Sequence, residues 1–399
     1  MRHAARSSAH FAPLLAGSGL EPGDAFAALA RLPVLRRAEL QADPGLFCAT
    51  TEAHGPHYAL TTSGSSGQPV ALRCTGAALA LRQAFTLRNF AWQRLEPGKT
   101  YASIKSGLGA ASGAGPQRAA NWNAALGSLF GSGPSWSLPI NEPLDHQLEV
   151  LRRYPAHYLM SYPSNLRGLL ELSPGNPGPL EVVVSCGESL PPSLAAELAA
   201  SWGVRVVEEY SSEELGPVAA QCERGSFHLM AEGLLVEVLR DDGAPAAPGE
   251  RGRVVATDLR NFATALLRYD TADYAIAGEP CACGRGLPTL GAVVGRERYL
   301  ACLPDGRRFW PSLAPLQAEA VRALVRQFQL LQEGPRAARL RVRPWRALAA
   351  ADEALLAHAV RDILGEGFAV ALELVDGPLR GGPNGKFMEF RCLWTPGPG

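Results

Sequence analysis

The chain has no net charge with which to hold a polyanion. Lys+Arg and Asp+Glu both number 38, giving a formal charge of +0. That removes the basic footprint by which nucleic-acid and anionic-membrane binders are recognised. It also lacks long hydrophobic runs: none reaches the roughly 18 apolar residues of a membrane-spanning helix. The segment "MRHAARSSAHFAPLLAGSG" carries Arg2 and Arg6 but no apolar stretch of leader length. A cytoplasmic protein that handles small molecules, with no nucleic acid and no membrane as partner, is therefore expected. Charged residues are only 19% against 47% hydrophobic, which supports packed cores and argues against disorder. No internal repeat is present. Eight cysteines remain, Cys48, Cys74, Cys186, Cys222, Cys281, Cys283, Cys302 and Cys392. In a reducing compartment these are expected as buried thiols or metal ligands, not disulfides.

At 399 residues the chain is long enough for two or three domains. "DAFAALARLP" and "VLRRAELQAD" show amphipathic helical patterns. "HYALTTSGSSGQPVALRCT" reads as strand, glycine-rich loop, strand, and "GAALALRQAFTLRNFAWQRL" as helix. Residues 105–140, rich in Gly, Ser and Ala, read as loops around a cleft. From Leu144 onward helices alternate with strands "HYLMSYP", "LEVVVSCGESL" and "VRVVEEYSSEE". The helix "PPSLAAELAASWG" begins at prolines and stops at Gly203. This alternation predicts an α/β core with a largely parallel sheet. After Cys222 the pattern becomes β-rich. From about residue 297, strand and helix alternate again in a smaller α+β region. The expected organisation is thus a large domain over 1–297 and a small domain over 298–399.

"TTSGSSGQP" concentrates Gly and Ser, and successive N–H groups in such a turn form an anion-binding nest. Read alone it fits an ordinary loop as well, since the Walker spacing G-x-x-x-x-G-K-[ST] is absent. Cys222 and His228, with Cys281 and Cys283 further on, offer three thiolates and an imidazole. That donor set suits a closed tetrahedral zinc site. Buried thiols with a surface histidine are the other reading.

Six segments in order carry a family resemblance. "TTSGSSGQP" resembles the Ser/Thr/Gly phosphate loop of the acyl- and aryl-adenylating superfamily. "EEYSSEELGPVAAQC", "LLRYDTADYA", "VVGRERY", "VRQFQLLQ" and "PNGKF" resemble the later motifs of its phenylacetate–CoA ligase-like branch. The resemblance implies a large N-terminal α/β domain with a β-rich subdomain and a small mobile C-terminal lid. It also implies ATP and Mg²⁺ as cofactors and a small carboxylic acid as substrate. Thr62, Ser63, Gly64, Ser65, Ser66 and Gly67 would wrap the β- and γ-phosphates. Glu214 would help to hold Mg²⁺. Tyr210 would lie against the adenine, with Gly187 and Glu188 bordering its pocket. Asp273 would accept both ribose hydroxyls, with Arg268 in the same segment. Lys386 would swing in to stabilise charge on the α-phosphate. Some members of the branch carry a Cys/His/Cys/Cys zinc at matching positions, which implies a structural Zn²⁺ here.

Several positions depart from the family pattern. Gln68 replaces the loop lysine, Glu213 a hydroxyl residue, Ser211 and Ala272 glycines, and Asp270 an arginine. Arg298 stands where an acidic hinge residue is common. Weaker ATP binding or slower turnover is expected from them. Phe90, Trp92, Trp122 and the segment Ser161 to Asn165 are candidate walls of the acid pocket. Three readings follow: activation of the acid and transfer to CoA, activation and transfer to a carrier-protein thiol or an amine, or a nucleotide-binding scaffold that has lost catalysis.

Overall fold

The computed structural model describes residues 1–16, 25–52, 54–61, 69–106, 108, 115–123, 127, 131–296, 300–309, 311–377, 379 and 387–394. The chain divides into two compact units, Met1–Val294 and Gly295–Gly399.

The first unit opens with short helices α1 (Arg2–Ser7), α2 (Phe11–Leu15), α3 (Ala25–Arg31) and α4 (Arg37–Ala42). The hairpin β1 (His57–Thr61) and β2 (Ala71–Thr75) sets Thr61 opposite Ala71, so the residues flanking the Gly/Ser run lie side by side. Helix α5 (Gly76–Trp92) starts where the Thr75 hydroxyl accepts from the Ala78 amide at 3.2 Å. There follow β3 (Tyr101–Lys105), β4 (Gln117–Ala119), β5 (Ser135–Pro139), α6 (Leu144–Arg153), β6 (Tyr158–Ser161), α7 (Pro163–Leu172) and β7 (Val182–Cys186). Helix α8 (Pro192–Trp202) stops at Gly203, whose φ of 68° a residue with a Cβ adopts only with strain. Then come β8 (Arg205–Ser212), β9 (Gly216–Gln221), β10 (Phe227–Leu229), β11 (Leu234–Leu239), β12 (Arg251–Asp258), β13 (Tyr269–Ala277) and β14 (Thr289–Arg296).

Among the described residues these strands build a 12-stranded sheet of order β11-β12-β13-β14-β10-β9-β8-β7-β6-β3-β5-β4. From β5 to β8 neighbouring strands run parallel, whereas β8 and β9 pair antiparallel. The parallel half is covered by helices because both its faces are apolar. Leu148, Leu151, Leu166, Leu169, Leu194, Leu198 and Trp202 pack with Ile104, Leu138, Leu159 and Val183. The antiparallel half joins a second core with Phe11, Leu29, Leu40 and Phe47 from the opening helices. The expected parallel core and β-rich region are both present, while α1, α2 and β5 were not anticipated.

The second unit holds β15 (Ala301–Cys302), β16 (Arg308–Phe309), α9 (Ala314–Gln317), α10 (Glu319–Arg322), β17 (Val325–Gly334), β18 (Ala337–Pro344), α11 (Ala350–Leu364), β19 (Ala369–Leu374) and β20 (Phe390–Cys392). Its sheet has the order β19-β18-β17-β20. Leu356, Val360, Ile363 and Leu364 of α11 belong to the core beneath it. Gln332, fully buried on β17, accepts from the Cys302 amide at 2.9 Å and so ties β15 to the sheet.

Candidate active site

Strands β3, β6, β7 and β8 end at one edge of the parallel half, next to the switch to antiparallel pairing at β9. Open α/β sheets bind ligands in the crevice outside such strand ends. Most of the described residues expected in the nucleotide site are found on this edge or on the strand segment beside it.

Tyr210, on β8, is buried, and its hydroxyl donates to Asp273 Oδ2 at 2.9 Å. Asp273, on β13, is buried as well, and the sheet brings it to Tyr210 across 63 positions of sequence. Thr271 Oγ1 accepts from the Asp273 amide at 3.2 Å and donates to the Val254 carbonyl at 3.0 Å, which anchors this stretch. Between them Ala272 holds φ at 59°, the left-handed region, with its amide donating to Asp270 Oδ1 at 2.8 Å. The family glycine at this position thus has a conformational reason, and alanine is strained there. Asp270 is neutralised locally by Arg253 at 2.7 Å. Ser211 shows no such strain, since its φ is not positive.

Arg268 belongs to the same segment, but its guanidinium turns into the protein. It donates to the carbonyls of Ala30 at 2.8 Å and Leu32 at 2.6 Å and to Glu237 at 3.1 Å. Those contacts hold the end of α3 against β11.

Glu214 lies in the turn between β8 and β9 and is buried. A buried carboxylate needs a charge partner, and Arg37, the first residue of α4, supplies it in a short ion pair. Arg82, from α5, holds the turn from the other side by donating to the backbone carbonyls of Glu213 and Glu214. Gly216 closes the turn at φ 70°, and a Cβ there would meet the Arg82 side chain at 3.0 Å. Glu213 itself is exposed. Neither arginine was expected. Arg37 lies 177 positions from Glu214 and resembles an ordinary solvated cation.

Gly187 turns the chain after β7 with φ 73°. Glu188 then accepts from the amide and hydroxyl of Ser164, both at 3.0 Å, at the start of α7. A carboxylate there complements the helix dipole. Of the expected pocket walls, Ser161 and Asn165 are interior: Ser161 donates to the Ile104 carbonyl at 2.8 Å, and Asn165 to Gln147 at 2.9 Å. Phe90 and Trp122 pack with Tyr101, Tyr158, Val182, Val184 and Val207 on one face of the parallel strands.

Cys222 follows β9, His228 is on β10, and Cys281 and Cys283 lie between β13 and β14. Their ligand atoms all fall within 4.8 Å of one another. Cys222 Sγ is 3.8 Å from Cys281 Sγ, and Cys283 Sγ is 3.1 Å from His228 Nε2. Two sulfurs on a tetrahedral zinc, at about 2.3 Å each, stand about 3.8 Å apart. The donors therefore fit that ion. The Arg224 amide donates to Cys222 Sγ at 3.3 Å, as in a zinc knuckle. Hydrogen bonds from Ser226 and the Cys283 backbone hold the Cys281 thiol at about 6, where it readily becomes a thiolate. Trp92, expected as a pocket wall, instead sits with its ring 5.9 Å from that of His228. Thr62, Ser63, Gly64, Ser65, Ser66 and Gly67, together with Gln68, Arg298 and Lys386, lie outside the described residues.

No protein-family model matches the chain. The phenylacetate–coenzyme A ligase of Thermus thermophilus is 26% identical over 324 residues, 76% of this chain and 68% of that one. A 2-hydroxyisobutyryl-CoA ligase, solved in the postadenylation state with R3-HIB-AMP, superimposes with a TM-score of 0.75 at 18% identity, covering 98% of this chain and 86% of the other. A benzoate CoA ligase from Burkholderia xenovorans gives 0.58 at 17% identity, with 85% and 68% covered. The fold is that of the acyl- and aryl-CoA ligases of the adenylating superfamily. In sequence, the chain is similar to the phenylacetate–coenzyme A ligase.

Proposed function

We propose that the protein activates a small carboxylic acid with ATP and transfers the acyl group to CoA. The observation that carries this reading is the Tyr210–Asp273 hydrogen bond in a fold shared with CoA ligases, with Glu188 following β7 and Glu214 following β8 at the strand ends. The acid's carboxylate, already ionised at pH 7, attacks the α-phosphorus. The bond to pyrophosphate breaks and an acyl-adenylate forms. The CoA thiol then loses its proton to solvent, its sulfur attacks the acyl carbon, and the acyl–phosphate bond breaks as AMP leaves. Neither step asks for a strong general base in the first unit, so the protein's work is positioning and charge neutralisation.

Asp273 accepts the ribose hydroxyls. Its Oδ2 already accepts from Tyr210, and a carboxylate can accept from several donors at once. Tyr210 lines the adenine, with the Gly187–Glu188 turn at its border. Glu214 is a single buried carboxylate, which fits Mg²⁺ held by one or two protein oxygens together with the phosphates. That ion would screen phosphate charge, while Arg37 and Arg82 keep Glu214 in position. By resemblance, Thr62 to Gly67 wrap the phosphates, and Lys386, from a lid formed by residues 298–399, neutralises the α-phosphate. Cys222, His228, Cys281 and Cys283 hold a structural zinc that pins β9 and β10 to the loop before β14. Thiolate ligands of this kind suit a reducing, cytoplasmic setting.

The test is formation of AMP and a thioester from ATP, an acid panel and CoA, followed by mass spectrometry. An acid- and CoA-dependent thioester is expected. Adenylate formation without thioester, relieved by a carrier protein or an amine, would transfer the reading to that acceptor. ATP binding with no product from any acid would overturn it in favour of a scaffold.

A further inference from the structure

Strand register puts three rows of side chains on the face covered by Phe90 and Trp122. The first row holds Tyr101, Tyr158 and Val182, and the second Ser103, Met160, Val184 and Val207. The third row, at the carboxyl ends of the strands, holds Cys186 and Glu209, with Lys105 ending β3 alongside. The face is therefore apolar along most of its length and polar where the ligand crevice begins.

Asn89, from α5, covers this polar end. Its Nδ2 donates to Glu209 Oε2 at 2.7 Å. Because a carboxylate accepts, the amide must turn its nitrogen to Glu209, which presents Oδ1 as an acceptor. Asn89 is 3% exposed, yet Oδ1 has no partner. The hydroxyl of Tyr101, 4% exposed, has no partner either. Tyr101 is packed by Phe90 at 5.4 Å and Trp122 at 5.5 Å between ring centres, so the ring has little freedom to seek a partner elsewhere. Burial, and after it the charges of Glu209 and Cys186, push the Tyr101 hydroxyl well above its ordinary range. Burial likewise raises Glu209, opposed first by Lys105. Buried polar groups left unpaired are costly. Here two of them, Asn89 Oδ1 at the polar end and the Tyr101 hydroxyl reaching from the first row, share the aromatic face with a buried carboxylate.

We propose that the activated acid carries a hydrogen-bond-donating substituent, a hydroxyl or a neutral amine, and that Glu209, Asn89 and Tyr101 form its specificity site. Acceptors predominate in this trio, so the complement is a donor. Lys105, the nearby cation, disfavours an ammonium. The aromatic wall accepts the flat or apolar body of the same substrate. The inference rests on the ligase reading above and narrows its substrate class.

The test uses hydroxylamine trapping of the activated acyl group with matched pairs: phenylacetic, benzoic and isobutyric acids, and their hydroxy- and amino-substituted forms. The wild-type chain is expected to favour a substituted member by at least tenfold in kcat/KM. A site built to hydrogen-bond a substrate group discriminates strongly against the analogue lacking it. Glu209→Leu is expected to cut that preference ratio at least tenfold. Tyr101→Phe is the control for folding, since it removes only an unpartnered hydroxyl. It should raise or keep the thermal midpoint of the free protein while lowering the same ratio. A preference for the unsubstituted acid, or a ratio unmoved by both variants, overturns this inference and leaves the ligase reading standing. No trapped product from any acid overturns both.

Discussion

Replacing Glu208 by glutamine should stabilise the protein at alkaline pH and leave it nearly unchanged at acid pH. Glu208 lies on β8, two residues before Tyr210, and accepts from the Leu190 amide at 3.3 Å. Burial is the main cause lifting its pKa from 4.5 to about 7, and the Leu190 hydrogen bond works weakly in the other direction. The folded chain therefore keeps a proton between about pH 4.5 and pH 7 that the unfolded chain has lost. With more protons bound in the folded state, stability falls as pH rises through that window. At about 1.4 kcal/mol per pH unit the loss approaches about 3 kcal/mol by pH 8. Residual solvent access trims it to about 2 kcal/mol. Glutamine carries no charge, and its carbonyl still accepts from Leu190. Urea unfolding at pH 5 and pH 8 should show Glu208→Gln gaining about 2 kcal/mol over the wild type at pH 8 and under about 0.5 at pH 5. An equal effect at both values would refute the assignment of the raised pKa to this residue.

Three further outcomes follow from the site. Ala272→Gly relieves a left-handed alanine, and a gain of about 1 kcal/mol in denaturant unfolding is expected; a loss would show that the strain is compensated locally. Arg37→Ala strips the partner from buried Glu214 and should cost about 3 kcal/mol. Arg37→Lys should restore part of that stability, and equal loss in both variants would point to packing instead of charge. Metal analysis of the purified chain should find one zinc per protein, and Cys281→Ser should abolish it and lower the thermal midpoint. A metal-free protein with an unchanged midpoint would make the four residues ordinary buried side chains.

Local periodicity made much of the first unit legible. Helices α5 to α8 and strands β6 to β8 all carry their pattern in contiguous residues, with Gly203 as a visible stop. Strand β5 was hidden because "SWSLP" sits in a stretch dominated by Gly, Ser and Ala, and its two buried side chains, Trp136 and Leu138, gain meaning only from their neighbours in the sheet. Helices α1 and α2 are too short to show a period. Tyr210 and Asp273 stand out in sequence only through ordered motifs, and the structure shows them joined by a hydrogen bond. The Arg37–Glu214 pair was not legible, since nothing local distinguishes one arginine of "RR" as the partner of a distant carboxylate. Arg268 illustrates the converse. It belongs to a recognisable motif, yet its Nε donates to Glu237 and its Nη1 to Ala30 and Leu32. Ala272 and Asp270 are departures from the family pattern, from which weaker ATP binding or slower turnover is expected. In the structure one is a strained turn and the other a paired charge.

The most direct test of the central claim is acid-dependent exchange of labelled pyrophosphate into ATP, in the presence of Mg²⁺ and without CoA. Exchange that requires an added carboxylic acid, and that collapses in Asp273→Ala, is the result expected of an adenylate-forming ligase. ATP binding without exchange across aryl, acyl and hydroxy or amino acids would contradict it.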